Sequence, residues 1–212
     1  KMSDDICGAV RHNAPEQVFG GLPVTTSTQQ QSSSALEVRG PRLRLVAIDA
    51  ELARLQVTDK DGFFAALGAQ REPAWPPIAD DEPKLSDKLE ILNRTPEEAG
   101  WRGWVFLMGW TPDGLDRAVG VGGFHGPPDA DGQVEIGYAM QPSFREQGLA
   151  TEAVEGLVKW AFDHPEVRNV RAQTLPHLTA SIRVLEKTGF TFVKKYTDES
   201  GDTLCLFERK RD

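Results

Sequence analysis

The sequence predicts an α/β fold on one mixed sheet, with an antiparallel meander toward its N-terminal side, a parallel strand-helix-strand crossover after it, and helices on both faces. Three observations carry this. Short apolar runs at 104–108, 118–124 and 133–140 are separated by Pro, Asp and Gly turns, the pattern of a meander. A helical pattern then places Leu149, Ala153, Leu157 and Trp160 on one side with Ala150, Val154, Val158 and Ala161 beside them, a wide apolar face between two strand patterns. Finally, 212 residues with 39% hydrophobic content suit one ordinary core rather than two.

Taken in order, residues 1–37 lack periodicity and contain the polar tract 25–34, Thr-Thr-Ser-Thr-Gln-Gln-Gln-Ser-Ser-Ser, with too little apolar surface to offset its ordering entropy. They read as a low-complexity tail, disordered or docked through Val18-Phe19 and Leu22-Pro23-Val24, ahead of one domain at 38–212. Arg42 to Ile48 alternates like a strand, Asp49 starts a helix over Ala50 to Val57, and Phe63 to Leu67 adds a helical turn. Pro73, Pro76 and Pro77 impose an extended loop carrying Trp75 and Asp80-Asp81-Glu82, which is expected to rim a substrate site. A helix from Pro83 runs through Leu85, Leu89 and Leu92. Thr95-Pro96-Glu97-Glu98 has capping-box form, with Gly100 ending its short turn.

The meander follows as Trp104 to Met108, a turn at Thr111 to Gly114, Ala118 to Phe124, and Gln133 to Met140. The crossover helix over 148–162 stops at His164-Pro165 and returns through Val170 to Leu175. A helix over Thr179 to Thr188 ends at Gly189, and a hairpin of Phe190 to Tyr196 with Thr203 to Arg209 turns through Asp198 to Asp202.

A formal charge of -8 and a pI near 5.1 argue against a nucleic-acid binder and favour a cationic or amine-bearing partner. No window of about twenty apolar residues indicates a membrane span, and Cys7 and Cys205 suggest neither a disulfide framework nor a zinc site. A soluble, cytoplasmic protein without a metal, monomeric or homodimeric, is expected. His12, His125, His164 and His177 share no ligand spacing and are assigned surface or loop positions. The run Gly120-Val121-Gly122-Gly123-Phe124-His125-Gly126 fails as a dinucleotide motif, because His125 stands at the third glycine's place and Pro127-Pro128 follows instead of a helix. It reads as strand and turn. Trp101, Trp104 and Trp110 read as core or rim aromatics.

One local pattern points to chemistry. The strand 133–140 leads through Phe144-Arg145-Glu146-Gln147-Gly148 directly into the apolar helix, so backbone amides between Arg145 and Ala150 can converge on phosphate at the helix's positive end. Gly148 permits close approach.

The sequences Val134-Glu135-Ile136-Gly137-Tyr138, Arg145-Glu146-Gln147-Gly148-Leu149-Ala150-Thr151-Glu152-Ala153 and Ser181-Ile182-Arg183-Val184-Leu185-Glu186-Lys187-Thr188-Gly189-Phe190 resemble the GCN5-related N-acetyltransferases (GNAT), over residues 39–209. Within them the chain is similar to the ribosomal-protein N-terminal acetyltransferase branch, the RimJ- and RimL-like enzymes. Arg145, Gly148 and Ala150 satisfy the family's pyrophosphate signature of Gln or Arg, two residues, Gly, one residue, then Gly or Ala.

The resemblance implies direct attack of an amine, on a protein N-terminus or a small molecule, on the thioester of acetyl-coenzyme A, with no covalent enzyme intermediate. It assigns cofactor binding to Ala139, Met140, Arg145, Glu146, Gln147, Gly148, Leu149, Ala150 and Thr151, with a backbone amide near the strand's end facing the oxyanion. It also implies that the strand splays from its parallel neighbour. Glu135 matches the family's strand glutamate base, its carboxyl raised by apolar neighbours, against the reading of a solvated residue on the face away from Val134 and Ile136. Ser181 matches a serine near the cofactor sulfur and is the candidate proton donor, against the reading of a first-turn serine bonded to its own backbone. Leu185 stands where many members carry an acid Tyr, and Leu178 where this branch often has Asn. Two other classes stay open on the sequence: an acyl-coenzyme A-binding protein without catalysis, and an interaction subunit using its tail as an arm.

Overall fold

The chain divides after Ser33, and a computed structural model describes residues 35–77, 82–109 and 114–211. Most of the 1–37 tail, the acidic pair Asp80-Asp81, Trp110 and most of the 111–114 turn lie outside the described residues.

Among the described residues the second unit is organised on a nine-stranded sheet, eight strands in succession and the ninth paired at the side. β2 (Leu43–Ala47), β4 (Trp104–Met108), β5 (Asp116–Phe124) and β6 (Gln133–Met140) are successive antiparallel neighbours. β6 and β7 (Asn169–Thr174) are parallel, and the closing hairpin of β8 (Thr191–Thr197) and β9 (Thr203–Lys210) joins antiparallel to β7 through β9. Two short strands carry no periodic signal of their own. β1 (Glu37–Arg39) pairs with β2, and β3 (Ala69–Gln70) pairs parallel to β5. Glu37, the last residue assigned to the tail, is the first of β1.

Period-2 alternation splits the apolar residues between two faces. Leu43, Leu45, Trp104, Phe106, Val134, Ile136, Val170 and Phe207 meet α4 (Leu149–Phe162) and α5 (Thr179–Lys187) in one core. Val46, Ile48, Val105, Leu107 and Ala118 meet α1 (Ala50–Thr58), α2 (Lys60–Leu67) and Leu92 of α3 (Glu82–Arg94) on the other. The glycine run in β5 has a packing cause. A Cβ at Gly122 would stand 2.5 Å from the Phe106 ring and 2.9 Å from the Gly137 carbonyl oxygen, so only glycine lets that ring lie against the strand beside β6.

Several local expectations hold. The Asp49 carboxylate caps α1 by accepting from the Leu52 N–H at 2.8 Å, and Trp101 and Trp104 are buried. One needs correction. Thr95 makes no side-chain cap, because its hydroxyl donates back to the Ile91 carbonyl at 2.9 Å, and Pro96–Glu98 is a 3-10 turn instead of a boxed helix start. Trp75 is half-buried, its ring packed on Phe63 and Phe64 with centroids 6.4 and 5.8 Å away, and the carbonyl of neighbouring Ala74 accepts from Gln141 Nε2 at 3.1 Å, just past the end of β6. His164 lies in the loop after α4, as expected, half-buried with its imidazole against the Trp101 and Trp160 rings.

Candidate active site

The two parallel strands at the centre of the sheet part company. β6 pairs with β7 from Gln133 to Ile136 and no further, while its other edge stays paired with β5 through Met140. β7 stays with β9 through Thr174. Gly137, Tyr138, Ala139 and Met140 thus turn one backbone edge into a gap, and backbone N–H and C=O groups there need partners. Met140 is buried in the α4 core and Ala139 is half-buried.

Beside the gap, residues 145–148 lead into α4. Arg145 ties this loop to the strand, its Nε donating to the Met140 carbonyl at 3.1 Å, and Gln147 Nε2 donates to the Ser143 carbonyl at 3.1 Å. Glu146 (φ 61°) and Gly148 (φ 75°) are both left-handed. For a non-glycine residue that conformation costs roughly 1–2 kcal/mol, and the cost at Glu146 is spent where the loop must bend to expose its amides. Gly148 is the N-cap of α4 and no side chain caps the helix. The first hydrogen bond inside the helix runs from the Glu152 N–H to the Gly148 carbonyl, so the Leu149, Ala150 and Thr151 N–H groups have no intrahelical partner. Buried Leu149 anchors this turn, with Ala150 and Thr151 half-buried beside it.

A cation that no sequence motif marks stands at the same place. Arg42 Nη1 donates to the Gln147 carbonyl at 2.9 Å and Nε to Glu152 Oε2 at 2.8 Å. Its Nη2 lies 3.6 Å from where a Cβ on Gly148 would be. Glu152 Oε1 also accepts the Arg42 and Leu43 backbone N–H groups at 2.7 and 2.9 Å. A helix N-terminus, an uncapped turn and a guanidinium together form a site for a multiply charged anion.

The faces of β6 carry different chemistry. On the α4 side, the Tyr138 hydroxyl donates to the Ser181 carbonyl and shares a hydrogen bond with Ser181 Oγ, both at 3.2 Å. Ser181 Oγ thus pairs with Tyr138 instead of with its own backbone. Burial pushes the Tyr138 phenol above its ordinary value, opposed by the Ser181 hydrogen bond, so it remains a proton carrier at neutral pH. Leu185 is buried in the α4 core and Leu178 is exposed, so neither supplies a proton.

On the other face, Glu135 meets polar neighbours instead of the apolar surroundings expected for it. Its Oε2 accepts from Gln173 Nε2 at 2.8 Å, its Oε1 lies 3.3 Å from His125 Nδ1, and its side chain keeps 27% exposure. The Tyr196 hydroxyl donates to Gln173 Oε1. Desolvation first, then the Glu135 and Asp198 carboxylates, push the Tyr196 phenol up. Tyr138 has a sequence signal in the Gly137-Tyr138 pair, whereas Arg42, His125 and Gln173 reach the site through chain-distant contacts that leave none.

Among the described residues no helix is long and apolar enough to cross a membrane, and no three His, Cys, Asp or Glu residues gather as a cation site.

Comparison with known proteins agrees with this geometry. The model of the acetyltransferase (GNAT) domain family matches residues 49–191. The Uncharacterized N-acetyltransferase YjdG of Bacillus subtilis (strain 168) is 31% identical over 149 residues, covering 70% of this chain and 86% of its own. Among solved structures, RimL, the ribosomal L7/L12 alpha-N-protein acetyltransferase in complex with coenzyme A, superposes with a TM-score of 0.59 at 16% identity, over 82% of this chain and 98% of that one. The ribosomal-protein-S5-alanine acetyltransferase from Vibrio fischeri gives 0.60 at 13% identity, over 84% and 97%. The two structures share the fold; the family model and the Bacillus relative carry the assignment, and by them the chain belongs to the GNAT acetyltransferases, enzymes dependent on acetyl-coenzyme A.

Proposed function

We propose that this enzyme transfers the acetyl group of acetyl-coenzyme A to a primary amine, on a protein N-terminus or a small molecule, by direct attack in the gap between β6 and β7. The observation that carries the reading is the parting of those strands after Ile136 and Ala172 beside the uncapped start of α4. A pyrophosphate there meets the Leu149, Ala150 and Thr151 amides and the Arg42 guanidinium, with Gly148 leaving room and Arg145, Glu146 and Gln147 shaping the loop. An extended amide-bearing arm can then follow the free edge of Ala139 and Met140, whose backbone donors face the thioester oxygen.

The gap is flanked by proton-carrying groups on both faces, as amine attack and thiolate departure require. Ser181, backed by Tyr138, supplies the proton to the sulfur on one side. The polar group at Glu135 serves the amine on the other.

Acetyl-coenzyme A at a hundredfold its dissociation constant adds about 2.7 kcal/mol, which for a domain of this size raises Tm by roughly 5–10 °C. A panel of amines then releases free thiol in the presence of protein. An unchanged Tm, with bound coenzyme A first removed, overturns the reading. Tyr138→Phe is expected to lower kcat by about 10²-fold with acetyl-coenzyme A affinity retained, because the phenol acts on the leaving sulfur and not on the phosphates. Stopped-assay kinetics with a calorimetric Kd check this, and a wild-type kcat removes Tyr138 from the chemistry.

A further inference from the structure

We propose that the proton acceptor for the attacking amine is His125 Nε2, and that Glu135 is the residue that positions it. This rests on the acetyltransferase reading above and names the base within that site. The backbone brings the pair together. The His125 N–H donates to the Glu135 carbonyl at 3.0 Å, continuing the β5–β6 ladder one step past Phe124 and Ile136. The two side chains are thereby cross-strand neighbours on the face of β6 away from α4.

Both Glu135 oxygens are already engaged, one near His125 Nδ1 and the other on Gln173, and Gln173 is in turn held by Tyr196. To reach an amine in the gap, the carboxylate would have to leave these partners. The imidazole need not move. With the carboxylate 3.3 Å from Nδ1, the proton is placed on that nitrogen, which leaves the lone pair on Nε2. No described residue bonds Nε2, and it lies 3.5 Å from where a Cβ on Gly137 would stand. Gly137 is the first residue of β6 beyond its pairing with β7, so the free nitrogen lies over the mouth of the gap. The His125 side chain is 68% exposed, which leaves room for an acceptor to approach.

The step balances without a further reagent. The amine lone pair attacks the thioester carbon, a C–N bond forms and the C–S bond breaks. The nitrogen's surplus proton passes to His125 Nε2, the sulfur takes one from the Ser181–Tyr138 pair, leaving the phenolate, and solvent carries the proton from imidazolium back to that phenolate. The imidazolium is stabilised by the Glu135 carboxylate as it forms. Other charged or titratable groups around the pair include Tyr196, through Gln173, Arg171, the register partner of Glu135 on β7 and itself paired with Glu208, and Arg102. The Arg102 Nη1 donates to the His125 carbonyl at 2.8 Å, and Arg102 is paired with Glu98.

The test compares kcat/KM against pH for wild type, His125→Ala and Glu135→Gln, with the acetyl-coenzyme A Kd measured for each. His125→Ala is expected to lose about 10²-fold or more in kcat/KM, to keep its acetyl-coenzyme A affinity, and to regain activity with added imidazole. Glu135→Gln still offers Nδ1 an acceptor through its side-chain amide oxygen, so it is expected to lose less in kcat/KM than His125→Ala and to keep its acetyl-coenzyme A Kd. A His125→Ala protein with the wild-type profile, beside an inactive Glu135→Gln, overturns the assignment and makes Glu135 the base. Wild-type protein that binds acetyl-coenzyme A yet acetylates no amine overturns the underlying function instead, so the two failures are distinguishable.

Discussion

Gly148→Trp is expected to abolish acetyl-coenzyme A binding and to leave the protein folded. Gly148 is exposed, so a side chain there displaces no core atom. Its φ of 75° makes any other residue cost roughly 1–2 kcal/mol, a loss of about 2–8 °C in Tm. The binding loss has a different origin. The new side chain leaves the backbone toward Arg42 Nη2, 3.6 Å from its Cβ, into the space between the guanidinium and the first-turn amides. An indole there fills the anion's place. Gly148→Ala carries the same backbone cost without the ring and is expected to keep measurable affinity. Calorimetric titration of wild type and both variants separates strain from occlusion. A near-normal Kd in the tryptophan variant refutes the phosphate seat.

Glu152→Ala lowers stability by about 3 kcal/mol, a fall of roughly 6–12 °C in Tm. The carboxylate has 11% side-chain exposure and accepts three hydrogen bonds, from the backbone of Arg42 and Leu43 and from Arg42 Nε. Truncation strands two backbone donors at the start of β2 and a guanidinium beside the phosphate loop. It also releases Arg42, so acetyl-coenzyme A affinity falls along with stability. The fit is close: a Cβ on Gly40 would come within 2.7 Å of Glu152 Oε1. Thermal melts with and without acetyl-coenzyme A measure both losses, and a Tm within 2 °C of wild type would show that water replaces the carboxylate. Glu152 is thus the point at which the stability of the fold and the shape of the site depend on one side chain.

Much of the fold is legible before any coordinates. The meander, the crossover and the closing hairpin depend on alternation, helical periodicity and turn residues within a few positions of each other, and those interactions are local. The departures have one local and one tertiary cause. Thr95 has the residues of a capping box, yet its hydroxyl bonds the preceding turn. β3 is too short for periodicity and exists because β5 offers an edge at Asp116 and Arg117.

By itself, the sequence determined the order of elements, the mixed sheet, the loop from Arg145 to Ala150 and the resemblance to acetyltransferases, since each is written in contiguous residues. Only the tertiary structure decided how the site is furnished. It brought Arg42 to Glu152 across 110 residues, Tyr138 to Ser181 across 43, and Gln173 to Glu135 across 38. It also set His125 over Gly137, through the register of two strands and the absence of a side chain. Contacts between chain-distant residues depend on how strands align and where they separate, and a single sequence has no local period or spacing that records this.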